Sequence, residues 1–508
     1  MIKRNFSIEN PLFICDLANN HFGDVSHAEL IIDEISEVAK EVNESLAIKF
    51  QFRNLDSYIH PHYMQKRELK YIDRFLSTKL NLDDFARLTS KIESKKLITM
   101  ATPFDEDGIE WCQQLGIEII KIASASANDY PLIEKISKAG KPVVASTAGL
   151  RIEEIDELVF RLFDKVPSLI VMHCVAIYPC DDASLNLSQI KFLKDRYPGI
   201  EIGFSTHERP NSLTPISVAT SLGSIAFERH VGIRSESYQL NEYSSEPHEI
   251  KAWIQMSKKA REVMGPSNRP PSPVKERETL SDLKRGIFAN RNIAKGERIE
   301  PSNSFLAFPL LWRDGQYHSG NLEDGLVATE DIDENQSITH FNAIHNKESA
   351  KAIVNSVVLQ LRGLLASAKV EINPEASIEL SHHYGLERFR EFGAALITCY
   401  NDEYAKKLVI QLPRQKHPYH FHADKQETFQ LLWGDMELTV NGRDFILKPG
   451  ELYTVKRGEW HKFHTLHGAV VEEISTRAIP GDSFYEDSAI SALALHERKT
   501  PVDNWLNN

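Results

Sequence analysis

The stretch Ile202 to His230 opens I-G-F-S-T-H-E and closes A-F-E-R-H, and its reading decides the fold of the first half of the chain. Two short apolar runs, Glu201-Ile202-Gly203-Phe204 and Ser224-Ile225-Ala226-Phe227, each end in a polar tip carrying one histidine, His207 and His230. Between them, 213–222 is small, apolar and compatible with a helix. The pattern predicts a strand–helix–strand unit with a histidine at the carboxyl end of each strand. In a parallel barrel those ends face the same way, so both imidazoles can converge on one metal. Taken alone, two histidines on adjacent apolar segments are more often satisfied core residues.

Working back toward the start, apolar runs recur at 12–17, 46–52, 97–101, 118–122, 142–146, 169–175, 201–204 and 225–227, separated by amphipathic stretches such as 27–42, 82–94 and 152–163. This alternation over about 260 residues fits a (β/α)8 TIM barrel better than a doubly wound sheet. Polar residues cluster just after the runs, where such a barrel places its site: N-N-H-F-G at 19–23, K-F-Q at 49–51, A-T-P-F-D at 101–105, K-I-A-S at 121–124, S-T-A-G at 146–149 and H-C at 173–174. A lysine within an apolar strand, as at Lys49 and Lys121, is costly to bury unpaired and points to a charged ligand. A snorkelling strand-end lysine is the alternative. With Thr102, Ser124 and Ser146 beside them, the two lysines make a cradle for a phosphate and a carboxylate.

The totals narrow the classes. At 508 residues the chain calls for three domains, on a prior of roughly 150 residues each. A net charge of −13 argues against a nucleic-acid surface. Five cysteines without paired spacing imply no disulfide framework. With no apolar run of membrane-spanning length and no signal-like start, a cytoplasmic protein is expected.

The barrel residues resemble the sialic acid synthase (nonulosonate synthase) family. The matching pieces are N-H-F-G, K-F-Q, A-T-P-F-D, K-I-A-S-A-S-A-N-D-Y-P-L-I, G-K-P-V-V-A-S-T-A-G, H-C-V-A-I-Y-P, G-F-S-T-H-E and F-E-R-H-V, in order across 11–265. The resemblance implies condensation of phosphoenolpyruvate with a sugar aldehyde to a 2-keto-3-deoxy acid, releasing phosphate. It implies His207 and His230 as ligands of a divalent metal, Mn2+ in most of the family. Lys49, Thr102, Lys121, Ser124, Ser146 and Ser205 would contact phosphoenolpyruvate, and Glu228 would orient the sugar or a metal-bound water. Lys121, Glu228 and the two histidines would be the catalytic set.

A proline-rich stretch, G-P-S-N-R-P-P-S-P at 265–273, reads as the start of a linker spanning 266–282. Residues 283–344 contain two similar strand–turn–strand patterns, around K-G-E at 295–297 and D-E-N at 333–335. This resembles the antifreeze-like (SAF) domain that follows the synthase barrel and, in that family, covers the partner's site in a domain-swapped homodimer. The chain departs from the family at three acceptor positions. Phe308-Pro309 stands where an Arg-Pro meets the acyl group, Leu240 where an aspartate binds hydroxyls, and Ala176 where some members have an asparagine. An altered acceptor, without an N-acetyl group, is expected. Arg313, or Asn241 with Glu242, are candidate substitutes.

Residues 345–376 read as a helical connector with Ile353, Val357, Leu361 and Leu364/Leu365 at helical spacing. From 377 to 508 short alternating strands take over, and eight of the twenty histidines lie between His382 and His467. The string H-F-H-A-D-K-Q-E-T-F-Q-L-L-W-G from His420, with G-E-W-H ending at His461, matches the cupin pattern. His420, His422, Glu427 and His461 would hold a second divalent metal, among Mn2+, Zn2+, Fe2+ and Ni2+. The inner H-x-H-x-x-K-x-E, with Lys425, resembles cupin sugar isomerases of the D-lyxose type. Residues after Phe484 read as surface segments. The preferred reading is a synthase with a fused metallo-cupin that isomerises or binds the sugar. Rivals are an isomerase or epimerase acting through the cupin, and a non-catalytic sugar-binding protein.

Overall fold

The computed structural model describes residues 6–502 apart from 70, 267–268, 324, 346–349, 374–375 and 480. Ser267 and Asn268 of the proline-rich stretch and Lys347 of the connector therefore lie outside the described residues. The chain divides into two compact units, Met1–Pro270 and Pro271–Asn508. No helix among the described residues is long and apolar enough to cross a membrane.

The first unit is a closed parallel barrel of eight strands: β1 (Leu12–Asp16), β2 (Ser45–Phe52), β3 (Ile98–Pro103), β4 (Ile119–Ile122), β5 (Val143–Ser146), β6 (Leu169–Cys174), β7 (Glu201–Ser205) and β8 (Ala226–His230). β1 pairs with both β2 and β8, which closes the ring. All eight apolar runs of the sequence become strands, shifted by one or a few residues. Strand side chains alternate in direction, so each strand sends one parity inward. Phe13, Cys15, Leu46, Ile48, Phe50, Ile120 and Phe227 share one cluster with the covering helices. The inward parity carries Leu12, Ile14, Ala47, Ile98, Met100, Ile119, Val144, Ile170, Met172 and Ala226, a separate apolar plug. One step further along seven of the eight strands the same parity becomes polar, at Asp16, Lys49, Thr102, Lys121, Ser146, Ser205 and Glu228, while β6 carries Cys174 there. The site floor is thus a layer of the barrel interior, stacked on an apolar one. Gly203 belongs to the inward set, and a Cβ there would stand 2.8 Å from the Ala226 carbonyl oxygen.

The helices follow from ordinary signals. Val25–Val42 is capped by the Asp24 carboxylate, which accepts from Ser26 and His27 N–H, and buries Ile31, Ile32, Ile35, Val38 and Val42 on one face. Pro247–Met264 brings Trp253 against Phe13 and Phe227, with centroids 5.7 and 6.2 Å away.

In the second unit, the segment expected as linker carries a helix, Val274–Asp282, with no buried side chain. Its K-E-R-E run is polar on every face, which hid a helix that propensity alone supports. The small strands Gly286–Ala289, Arg298–Ile299, Ser304–Ala307, Leu326–Ala328 and Ala343–His345 enclose Ile287, Ile293, Ile299, Leu326, Ile332 and Ile338. The two turn regions face each other through an Ile293–Ile332 bridge.

The connector helix, Ala350–Ala368, packs Ile353, Val357, Leu361 and Leu365 into one core with Ile378, Leu380, Phe389, Ile397 and Ile410. It is part of the cupin's packing. The cupin itself is two antiparallel sheets. One orders Leu452–Val455, Glu427–Gly434, Ala469–Thr476, Tyr404–Gln411, Ala394–Asn401, Ile378–Ser381 and Lys499–Val502; the other orders Arg443–Leu447, Met436–Val440, His461–His464, His420–Phe421 and Phe484–Tyr485. The tail expected as surface segments supplies a strand to each sheet, which corrects that reading.

Candidate active site and candidate metal centre

Register assembles the barrel site. Asp16 is the partner of Lys49 on β2 and of His230 on β8, and Ser205 is the partner of Glu228. Lys49 Nζ lies 2.9 Å from Asp16 Oδ2, 3.6 Å from Glu228 Oε2 and 3.2 Å from Thr102 Oγ1. Lys121 Nζ donates to Ser146 Oγ at 2.6 Å and lies 3.4 Å from Glu228 Oε1, which also accepts from Ser205 Oγ at 3.0 Å. Ser124 Oγ accepts from the Ala148 N–H at 3.0 Å. Two lysines and two carboxylates, all buried, therefore balance in charge.

The balance is uneven. Burial opposes the charge on Lys49, but Asp16 and Glu228 outweigh it and its pKa is raised. Burial also opposes the charge on Lys121; there Glu228 does not compensate, and the pKa is lowered. Both carboxylates are pulled down despite burial, Asp16 by Lys49 and His230, and Glu228 by Lys121 and Lys49. Lys121 has one carboxylate beside it, Glu228, where Lys49 has two, and is thus the barrel lysine with the weaker counter-charge.

His207 and His230 sit side by side with ring centroids 5.5 Å apart. His207 Nδ1 lies 2.9 Å from the Val175 carbonyl oxygen; donating there, it leaves the Nε2 lone pair free. Burial first, then His230, lowers the His207 pKa to about 4, and burial lowers that of His230. Both are neutral near pH 7, the form that ligates metal. His230 Nε2 is 3.5 Å from Asp16 Oδ2. Two imidazoles with a neighbouring carboxylate fit an open site that leaves positions for substrate better than a closed structural one. The loop carrying His207 is anchored by a fully buried ion pair of the same motifs, Arg229 Nη2 to Glu208 Oε1 at 2.7 Å.

In the cupin, His420 is the register partner of His461 on one sheet and Glu427 begins a strand of the other. Ligand atoms of His420, His422, Glu427 and His461 all lie within 4.8 Å of one another, and the four residues are buried. Each imidazole turns Nδ1 to a backbone carbonyl: His420 to Pro418 at 3.1 Å, His461 to Glu459 at 3.1 Å, and His422 to Asp482. Donating there leaves the Nε2 lone pairs free, and two of them lie near the carboxylate, His461 Nε2 at 2.8 Å and His422 Nε2 at 3.6 Å from Glu427 Oε1. Glu427 Oε1 and His461 Nε2 are both buried without a hydrogen-bond partner, and a cation between them would satisfy both. The donor set fits a divalent metal. Lys425 Nζ bridges Glu427 and Glu473, at 3.1 Å from Glu473 Oε1, and these carboxylates raise its pKa against burial. It therefore acts as a fixed positive charge and donor.

Buried neutral imidazoles set an acid limit. The His21 pKa is lowered to about 4 and that of His383 to about 3, both chiefly by burial. An unfolded imidazole takes its proton near 6.5, so between there and the folded value the unfolded chain binds more protons and stability falls as pH falls. At pH 5 each such group costs about 2 kcal/mol relative to pH 7. Urea unfolding with a chelator present is expected to show a lower midpoint at pH 5 than at pH 7; an equal or higher midpoint would contradict this account.

The NeuB family model matches residues 36–269 and a cupin domain model matches 407–476. A solved structure from Chromobacterium violaceum, assigned as a spore coat polysaccharide biosynthesis protein E, is 36% identical, covers 66% of this chain and 100% of its own, and superposes with a TM-score of 0.63. The chain belongs to the NeuB family. Further relatives are an uncharacterised protein of Methanocaldococcus jannaschii, 29% identical over 58% of this chain and 84% of its own, and the N,N'-diacetyllegionaminic acid synthase of Campylobacter jejuni, 25% identical over 65% of this chain and 99% of its own.

On this NeuB barrel the sequence reading missed Asp16, the centre of the Lys49 and His230 contacts, because an aspartate after L-F-I-C reads as a strand end. Tyr178 and Tyr243, whose rings lie 4.2 and 6.2 Å from His207, were also not singled out. In the cupin, Glu473 and Asp482 carry no motif. Asp482 accepts backbone N–H bonds from Ala423, Asp424 and Lys425 at 2.8, 3.1 and 2.9 Å and so shapes the H-x-H-x-x-K loop. Of the three departing acceptor positions, Ala176 and Phe308 are exposed and Leu240 is half-buried. Glu242 is paired with Arg209, Asn241 Oδ1 accepts from the Tyr243 N–H, and Arg313 lies 3.8 Å from Asp282.

Proposed function

We propose that the barrel condenses phosphoenolpyruvate with a sugar aldehyde, forming a 2-keto-3-deoxy sugar acid and releasing phosphate. The observation that carries this reading is the buried Lys121, short of counter-charge beside Lys49, Thr102, Ser124, Ser146 and Ser205. In this reading an anionic donor adds to the single carboxylate beside Lys121: Lys121 and Lys49 hold its phosphate and carboxylate, and the hydroxyls complete the hydrogen bonds. His207 and His230 would hold a divalent metal, Mn2+ by family resemblance, which when bound would polarise the aldehyde carbonyl. Glu228, hydrogen-bonded to Ser205 and flanked by both lysines, orients the acceptor or a water. With Phe308, Leu240 and Ala176 in place of polar groups, the acceptor lacks an N-acetyl group.

We assign residues 1–265 to the synthase, 283–344 to an SAF-like domain and 377–508 to the cupin, and infer a domain-swapped homodimer. The cupin would hold a second metal at His420, His422, Glu427 and His461 and would either isomerise the sugar between aldose and ketose or only bind it. Lys425, held charged, would stabilise negative charge developing on the sugar oxygen.

The test is phosphate release from phosphoenolpyruvate with manganese and a panel of aldoses: N-acetylmannosamine, mannose, other hexoses, pentoses and diacetamido sugars. Release with an unacetylated aldose is expected. Release with N-acetylmannosamine alone would sink the acceptor argument. Silence across the panel, with aldose–ketose interconversion that His420→Ala removes, would transfer the activity to the cupin.

A further inference from the structure

The cupin opens into a cavity of about 320 Å³ whose wall includes Lys407, His422, Lys425, Tyr485, Arg498 and Lys499. The charges along it are unequally used. Of the acids, Glu379 accepts from Lys499 Nζ at 2.6 Å, and the Asp482 carboxylate is taken up by three backbone N–H groups. Lys425 is engaged by Glu473 and Glu427. Lys407 stands opposite Glu473 in register but shares that carboxylate with Lys425, which holds it at 3.1 Å, and Arg498 is left over. Neither Lys407 nor Arg498 has a carboxylate within ion-pair distance among the described residues, and Arg498 has two buried guanidinium nitrogens, Nε and Nη1, without a hydrogen-bond partner. The Arg498 guanidinium is held over the Tyr485 ring, 5.3 Å from its centroid. Burial also disfavours the charge on Lys407. Two unpaired cations on the wall of a cavity that reaches a metal-ligand imidazole need an anion more than a neutral ligand.

We propose that this cavity takes an anionic carbohydrate, its acid group held by Lys407 and Arg498 and its hydroxyl-bearing end directed to His422 and Lys425. The inference deepens the sugar-binding reading of the cupin and does not depend on the barrel's chemistry. A carboxylate and a phosphate monoester offer the same oxygen fork to a guanidinium, so either a sugar acid or a sugar phosphate meets the requirement.

The test is isothermal titration of the full, manganese-loaded chain with aldonates, sugar monophosphates and free aldoses of the common pentoses and hexoses. At least one anionic class is expected to bind, and the class that does identifies the source of the acid group. Arg498→Met should weaken that binding by about tenfold or more, and Lys407→Met should do the same if the first variant folds poorly. The proposal is overturned if no anionic probe binds, if free aldoses bind as tightly as the anions, or if both variants keep the parent affinity. The last outcome would place the anion in the barrel. A parent chain that releases no phosphate from phosphoenolpyruvate would defeat the barrel reading and leave this titration readable.

Discussion

Lys121→Met is expected to lower kcat/KM for phosphoenolpyruvate about 10³-fold and to cost less stability than Lys49→Met. Methionine keeps the length and volume of the lysine stem. The charge it removes is the one that burial disfavours, and Glu228 retains Lys49 at 3.6 Å and Ser205 at 3.0 Å as partners. Lys49→Met is expected to differ. It strips Asp16 of a cation at 2.9 Å and leaves a buried carboxylate facing His230 and the Gln51 amide, which donates to it at 3.2 Å. Breaking such a buried pair costs about 3–5 kcal/mol. Activity should fall in both variants and the urea midpoint further in the second. A Lys121→Met enzyme that keeps its activity would remove the basis for the anion cradle. Equal destabilisation by the two substitutions would contradict the charge ordering.

The contrast shows what could be read from the chain and what could not. Eight apolar runs with polar tips sufficed for the barrel, because a strand's inward parity is written as alternation: Ile119 then Lys121, Ala226 then Glu228. The histidines and lysines stood out because their types are unusual in those settings. Their pairing did not stand out. That Asp16 balances Lys49 depends on the β1–β2 register, and nothing local in L-F-I-C-D announces it. The connector helix shows the same limit, since its apolar stripe is legible while the core it fills, with Phe389 and Ile410, is a tertiary fact. Arg498 and Lys499 were hardest to foresee. They lie in a tail without motif, and reach the cupin cavity because the strand Lys499–Val502 pairs with Ile378–Ser381, some 120 residues earlier.

Glu427→Gln is expected to empty the cupin of metal and to spare the barrel. The three cupin imidazoles turn Nδ1 to carbonyls, and Glu427, with a ligand oxygen within 4.8 Å of their ligand atoms, supplies the negative charge of the donor set. Glutamine has nearly the same shape but no charge, and its amide turns an acceptor into a donor against a lone pair. Metal affinity should fall about 100-fold or more. The fold has a reason to survive, because Lys425 keeps Glu473 at 3.1 Å. Metal analysis after dialysis is expected to find about one ion fewer per chain than in the parent, with phosphate release from phosphoenolpyruvate unchanged. His207→Ala should give the reverse, retaining the cupin's metal and losing phosphate release. An unchanged metal content in Glu427→Gln would show that the four-residue cluster is not the cupin's metal site. Loss of phosphate release in that variant would show that the two centres act on one reaction, so that the cupin would no longer be a separate stage in handling the sugar.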